Sequence, residues 1–326
     1  MIRQCSLLAG YSCLVFSLLF PASAAWYQDK QGIMGTNIQV EVWSDDVQQG
    51  QQATQAVMAE MERINQLMSP YIANSELAIV NQHAAEHPVK VSKELFDLVA
   101  LSIEISKETQ GAFDITFASV GYLYDYRQQH KPADEQIKSL LAAINFRHLV
   151  LDEQQYSIFF SHPKVKIDLG GIAKGQAVDN AIAILQNLHI KHALVTAGGD
   201  TRLLGDRRGK PWMVGIRDPR HPDKQAVVLP LIDTALSTSG DYERYFEQDG
   251  QRYHHILSPK SGTSSYEVQS VSIIGPRSVL NDALSTAVFV LGVQQGMDLL
   301  NRTLGYDGII MDNQRRMHYS TGLAKP

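Results

Sequence analysis

The chain has 326 residues, 44% hydrophobic and 19% charged, ordinary globular values that exclude a disordered chain, a collagen-like repeat and a coiled coil. A formal net charge of -5 argues against a general phosphate-backbone binder, which needs clustered lysine and arginine, so nucleic acid is not an expected partner. The length suits one large domain or two closely joined ones.

At the N-terminus Arg3 precedes a mostly apolar run from Leu7 to Phe20, followed by Ala22-Ser23-Ala24. That order of charge, apolar run and small residues is a secretory leader. The run is shorter than the ~20 apolar residues that cross a bilayer. The expectation is therefore a signal peptide over 1–24, a single domain over 25–326 and a periplasmic protein, tethered only if the leader stays uncleaved. Cys5 and Cys13 both lie in the leader, so its removal leaves no disulfide, thiolate or cysteine–zinc chemistry. No later window reads as long and apolar enough to cross a membrane, and there is no internal repeat.

In chain order, Ile38, Val40 and Val42 alternate with Gln39 and Glu41, which predicts a strand with one buried face. Ala53, Val57, Met61, Ile64 and Met68 form one helical stripe that packs over that sheet and ends at Ser69-Pro70. A second helix is expected from Ser92 as N-cap, with Leu95, Val99 and Ile103 inward, to a stop near Gly111. Residues 126–135 read as a surface loop and 134–145 as a helix. Short strands follow near 148–151, 157–160 and 165–169. Val178, Ile182, Leu185 and His189 give another helical stripe, and 193–196 another strand. From Trp212 to Gly275 strand-like runs dominate, including 242–246 and 251–257 around Asp249-Gly250, a hairpin-turn dipeptide. Residues 278–291 return to helix. This mixed order with many hairpin signals predicts an α+β fold, in mainly antiparallel sheets packed with helices.

Five segments could carry chemistry. Lys166-Ile-Asp-Leu-Gly-Gly-Ile-Ala-Lys-Gly175 runs through paired glycines into a helix start, where backbone amides and Lys174 would suit a diphosphate. A tight strand-to-helix turn with a solvated lysine fits the same letters. Asp282 and Thr286 stand four apart on one helix face. A carboxylate and a hydroxyl there suit a hard cation such as magnesium, while Asp282 serving the helix dipole and Thr286 bonding back to a carbonyl is the plainer alternative. Ala197-Gly-Gly-Asp200 could bring amides to a ligand or be a turn capped by Asp200. His254 and His255, adjacent at a strand end, point to opposite faces, so at most one serves a given site, as a general base or as a core-edge histidine. A zinc site lacks further ligands at recognisable spacing. Tyr71 and Phe113 could flank a planar ring beside Asp114, or be core.

Together and in order, the segments resemble the ApbE family of FAD:protein FMN transferases. The matching pieces are Met34-Gly-Thr36, Ser69-Pro-Tyr71 through Asn81, Gly111-Ala-Phe-Asp114-Ile-Thr116, Asp168 through Gly175, Ala197 through Asp200, His255-Ile-Leu-Ser-Pro259 and Asp282 through Ala287. The resemblance implies an exported, Mg2+-dependent enzyme that splits the FAD diphosphate, moves FMN onto a threonine hydroxyl of an acceptor flavoprotein and releases AMP. It implies Asp282, Thr286 and the Ala173 carbonyl as metal ligands. Met34, Tyr71, Ala112, Phe113, Asp114, Asp168, Lys174 and Ile256 are implied as FAD contacts, and His255 is the candidate base. The implied acceptors are exported subunits of membrane redox complexes of the sodium-translocating quinone reductase or Rnf type. Ser258, Ser261 and Asn281 depart from the family pattern, which bears on loop contacts and not on the metal pair. Two rivals keep part of the site: a Mg2+-dependent FAD diphosphatase giving FMN and AMP, and a periplasmic flavin-binding protein in which Asp282 and Thr286 are structural.

Overall fold

The computed structural model describes residues 24–324, so the leader lies outside the described residues except for Ala24. Strands β1 (Ala25–Ile33) and β2 (Thr36–Ser44) pair as a hairpin across Met34-Gly35, whose φ angles are 55° and 68°. Two positive φ values give the twist that a two-residue hairpin turn needs. Ile38, Val40 and Val42 are buried as their alternation predicts. Helix α1 (Val47–Met68) is capped by the Asp46 carboxylate, which accepts the Gln49 N–H, and it buries Ala53, Val57, Met61, Ile64 and Met68 against β1 and β2. Ser69-Pro70 ends it.

Helix α2 (Glu76–His83), too short to show a full stripe, is capped by Ser75. Strand β3 (Val89–Lys90) leads into α3 (Lys93–Glu108), which starts at the Ser92 cap and stops before Gly111, at φ 80°. Helix α4 (Ala118–Gly121) precedes α5 (Asp134–Leu140), which covers the first half of the expected 134–145 helix before a 3-10 turn. Strands β4 (Leu149–Asp152) and β5 (Ser157–Phe160) form a small sheet with β3.

Val165, Ile167 and Leu169 are buried, but residues 165–169 form no strand, contrary to expectation. Side chains replace a ladder there: Asn81 bonds both the N–H and the C=O of Ile167, and Tyr122 donates to the same carbonyl. Apolar composition marks this segment as core, but its partners are polar side chains more than 40 positions away, which periodicity cannot show.

Helix α6 (Ala173–Asn187) is followed by β6 (Ala193–Ala197), β7 (Asp200–Leu204), β8 (Trp212–Asp218), β9 (His221–Leu231), β10 (Ala235–Gly240), β11 (Tyr245–Gln248), β12 (Gln251–His254) and β13 (Val268–Gly275). Asp249-Gly250 turns β11 into β12 with both φ positive. Helix α7 (Ser278–Arg302), β14 (Asp307–Asp312) and β15 (Met317–Tyr319) complete the chain. The main sheet runs β1-β2-β6-β7-β10-β13-β14-β15, with every pair antiparallel, so the fold is α+β as expected. Helices α1, α6 and α7 pack side by side over it.

Helix α7 corrects a second expectation, because residues 278–302 are long and apolar enough to cross a membrane by length and composition alone. More than half of its most apolar stretch is buried against the sheet, where an apolar helix satisfies a core as well as a bilayer. It also runs past the expected end at 291, through a kink at Gly292 (φ 79°) where Glu267 accepts the Val293 N–H.

The α6–α7 crossing sets the site. A Cβ added to Gly175 would lie 2.4 Å from the Ser278 carbonyl oxygen, so only glycine lets the two backbones meet. Asp179 of α6 then accepts the Ser278 and Val279 N–H groups at 3.0 Å each, capping α7 from outside its own chain segment.

Candidate active site

One end of the main sheet gathers the Met34-Gly35 turn, the Gly198-Gly199 turn and the end of β10, facing the first turn of α6. Gly198 lies against Thr36, and Gly199 lies against the Thr238 carbonyl so closely that a Cβ would reach 2.5 Å. The Lys174 ammonium sits 3.0 Å from Asp200 Oδ2 and 3.2 Å from Asp282 Oδ2, and it donates to the Gly170 carbonyl at 2.9 Å. Both carboxylates are buried. Burial works against the charge on Lys174, but Asp200 and Asp282 more than offset this and raise its pKa. Burial, then repulsion from Asp200, raises the pKa of Asp282, although Lys174 and the Gly175 N–H at 3.1 Å favour its charged form. One ammonium thus serves two buried carboxylates, and the pair retains a demand for positive charge.

Thr286 faces the same turn. A Cβ at Gly171 would stand 3.2 Å from Thr286 Oγ1 and 3.4 Å from the Phe113 ring. Thr286 does not bond back to its own helix: its hydroxyl meets Ser239 Oγ at 3.3 Å, while the neighbouring Ser285 bonds back to the Asp282 carbonyl. Asp282 and Thr286 therefore both face the Gly170–Gly175 turn, Asp282 at Gly175 and Thr286 at Gly171. Carboxylate, hydroxyl and carbonyl are hard oxygen donors, and few protein donors with open positions are what magnesium accepts. No cluster of histidine, cysteine and carboxylates with metal spacing exists among the described residues.

Asp168 lines the approach. Its Oδ1 accepts the Gly170 N–H at 2.7 Å and its Oδ2 accepts the Tyr122 hydroxyl at 3.3 Å; burial raises its pKa. Tyr71 is 80% exposed, an aromatic with little protein packing. Phe113 is buried beneath Gly171, so these two aromatics do not form symmetric walls. Ala112 is buried beside it. The Asp114 carboxylate is spent on its own loop, accepting the Thr116 N–H and hydroxyl and the Phe146 N–H, so this side chain shapes the segment that holds Phe113. Ile256 is buried, with its N–H on His254 Nδ1.

The two histidines separate as the strand geometry requires. His254 is buried against Phe289 and bonds the Ser265 carbonyl at 2.7 Å, a core role. His255 turns toward the site, with a buried Nδ1 that has no partner. Burial, then the Arg244 guanidinium, lowers its pKa to about 3, so the ring is neutral at physiological pH. The unfolded chain takes up that proton below about pH 6.5 and the fold only near pH 3, so stability is present above the first value and declines as pH falls toward the second. His255→Gln is expected to flatten the acid-side fall of Tm across that window; a Tm–pH curve parallel to that of the parent chain would show that His255 titrates normally.

Two site residues escaped sequence reading. Asp200 reads as a turn cap, although a carboxylate after paired glycines at a strand end was a usable signal. Arg244 lies inside the strand-like run 242–246 and carries no local signal of a site role.

Comparison with known proteins identifies the family. The ApbE family model matches residues 34–310. An FAD:protein FMN transferase of Klebsiella pneumoniae is 32% identical over 288 residues, covering 87% of this chain and 88% of the relative. One from Treponema pallidum is 31% identical over 316 residues, covering 91% and 87%. The crystal structure of the ApbE protein from Thermotoga maritima superposes with a TM-score of 0.85 at 32% identity, covering 92% of this chain and 98% of that one. The flavin transferase ApbE from Vibrio cholerae gives 0.81 at 27% identity, covering 92% and 98%. The chain belongs to the ApbE family.

Proposed function

We propose that this chain is an exported FAD:protein FMN transferase that requires Mg2+, joins FMN to a threonine hydroxyl of an acceptor flavoprotein and releases AMP. The observation that carries it is the meeting of Asp282 and Thr286 with the Gly170–Gly175 turn, around a pair of buried carboxylates that one lysine does not fully neutralise. The relatives' names supply the flavin chemistry, and the apolar leader at 7–20 supports export to the periplasm.

Asp282, Thr286 and the Ala173 carbonyl would hold the metal, which when bound would stabilise charge on the diphosphate oxygens. The Gly170-Gly171 backbone leaves room for the diphosphate, and the first-turn amides of α6 favour an anion. Tyr71 offers an exposed ring face for the flavin or adenine. Neutral His255 takes the threonine proton. The threonine oxygen bonds to the FMN-side phosphorus, the bond from that phosphorus to the bridging oxygen breaks, and AMP departs with the oxygen. Catalysis is chiefly electrostatic and positional, as expected for phosphoryl transfer.

The test is to incubate the protein with FAD, Mg2+ and an exported flavoprotein subunit with a threonine acceptor, from a quinone reductase or Rnf-type complex, and to weigh the subunit. An added FMN phosphoester with one AMP released per label is expected. AMP and free FMN without label would replace this function by a diphosphatase, and intact FAD would replace it by a flavin carrier.

A further inference from the structure

The loop after β10 is dense in charge, and nearly all of that charge is paired. Asp241 holds Arg220 in a two-pronged bridge at 2.6 and 2.7 Å and meets Arg252 at 3.5 Å. Arg217 meets Glu243 at 3.5 Å, and Arg252 reaches Glu247 at 2.8 Å. Arg244 is the exception: its side chain is exposed and forms no ion pair, ring contact or hydrogen bond among the described residues. Its backbone is fixed, because its carbonyl accepts the His255 N–H at 3.1 Å and the nearby Phe246 is buried in the aromatic cluster. Its Nη2 lies 3.4 Å from where a Cβ on Gly35 would stand, so the guanidinium reaches across to the Met34-Gly35 turn. A rigid backbone thus presents an uncommitted guanidinium at the mouth of the site.

The charge balance of the site says what it is for. Three carboxylates, Asp168, Asp200 and Asp282, surround the single ammonium of Lys174, leaving a net negative floor. A diphosphate arriving there brings two more negative charges. One divalent cation balances part of this total, and Lys174 is already engaged by its carboxylates. Arg244 is a second cation whose field reaches this site, since its charge is felt by Asp168 on the approach and by the neighbouring Tyr71 and His255. A planar guanidinium with parallel N–H donors matches two oxygens of a phosphate group.

We infer that Arg244 is a substrate-binding residue whose guanidinium, reaching over the Met34-Gly35 turn, clamps the diphosphate of FAD. The inference rests on the FAD reading given above. Its backbone bond to His255 places that clamp and the base on one short segment, so docking of the diphosphate fixes the base beside the phosphorus it serves.

The experiment measures equilibrium binding of FAD and of riboflavin, which lacks phosphate, by flavin fluorescence with Mg2+ present, in the parent chain and in Arg244→Gln and Arg244→Lys. Losing a charge-assisted contact is expected to weaken FAD binding about 10- to 100-fold in Arg244→Gln, with a smaller loss in Arg244→Lys. Riboflavin affinity and Tm should not move, and the salt dependence of FAD binding should become shallower. FAD affinity within twofold of the parent, or an equal loss for riboflavin, would overturn the assignment. A parent chain that binds FAD but labels no acceptor would sink the transferase reading and leave this one standing; a parent chain that binds no FAD would sink both.

Discussion

Asp282→Ala is expected to reduce acceptor labelling by at least about 10³-fold at saturating Mg2+, because it removes the only charged group among the three proposed metal donors, and metal stabilisation of phosphoryl charge is worth several kcal/mol. The fold should survive. Lys174 keeps its 3.0 Å bridge to Asp200, and loss of a buried carboxylate whose pKa burial and Asp200 push upward offsets the loss of the Gly175 N–H acceptor. Asp282→Asn separates charge from shape, since it retains an oxygen for Gly175 and still forfeits the metal. Both variants should melt near the parent Tm in metal-free buffer and gain less from added Mg2+ than the parent does. Near-normal Mg2+-dependent labelling in either would remove Asp282 from the metal site.

Lys174→Met should show the largest stability effect. The substitution keeps an unbranched side chain but leaves Asp200 and Asp282 facing each other, both buried, with no cation between them. Removing one partner of a buried ion pair costs roughly 3–5 kcal/mol, and the partial exposure of Lys174, 23% for its side chain, lowers the expectation toward about 2–4 kcal/mol. In a chain of this size that is a fall in Tm on the order of 5–10 °C. Added Mg2+ should restore part of the loss, because the two orphaned carboxylates then have a cation to bind and ligand binding to the native state stabilises it. Calorimetry in chelator and in millimolar Mg2+ reads both effects. An unchanged Tm in chelator would show that Lys174 does not neutralise this pair.

The local half of the site is legible in the sequence. Gly170-Gly171 before an apolar helix announces a close backbone approach, the four-residue spacing of Asp282 and Thr286 places their oxygens on one face, and adjacent histidines on a strand must diverge. The stripes of α1 and α3 and the Asp249-Gly250 hairpin are likewise fixed by short-range chemistry. What the letters do not carry is which distant groups meet. Asp200 and Asp282 share Lys174 because Gly175 and Asp179 set the α6–α7 crossing, and no periodicity encodes that crossing. The same holds for residues 165–169, whose apolar run imitates a strand while Asn81 and Tyr122 supply its hydrogen bonds. Helix α7 shows the converse limit, since its composition satisfies a membrane criterion and its surroundings are a protein core. Asp114 shows the same limit, since its carboxylate accepts from Thr116 and from Phe146, a partner 32 positions away.

The most direct test is a crystal structure of the protein with FAD and Mn2+, a magnesium substitute that can be located by its anomalous scattering. The anomalous peak is expected between the Asp282 carboxylate, the Thr286 hydroxyl and the Ala173 carbonyl, at about 2.0–2.3 Å from each, with the FAD diphosphate completing its coordination over the Gly170-Gly171 turn. FAD seated elsewhere, or Asp282 still bonded only to Lys174 and Gly175 while manganese binds away from Thr286, would contradict it.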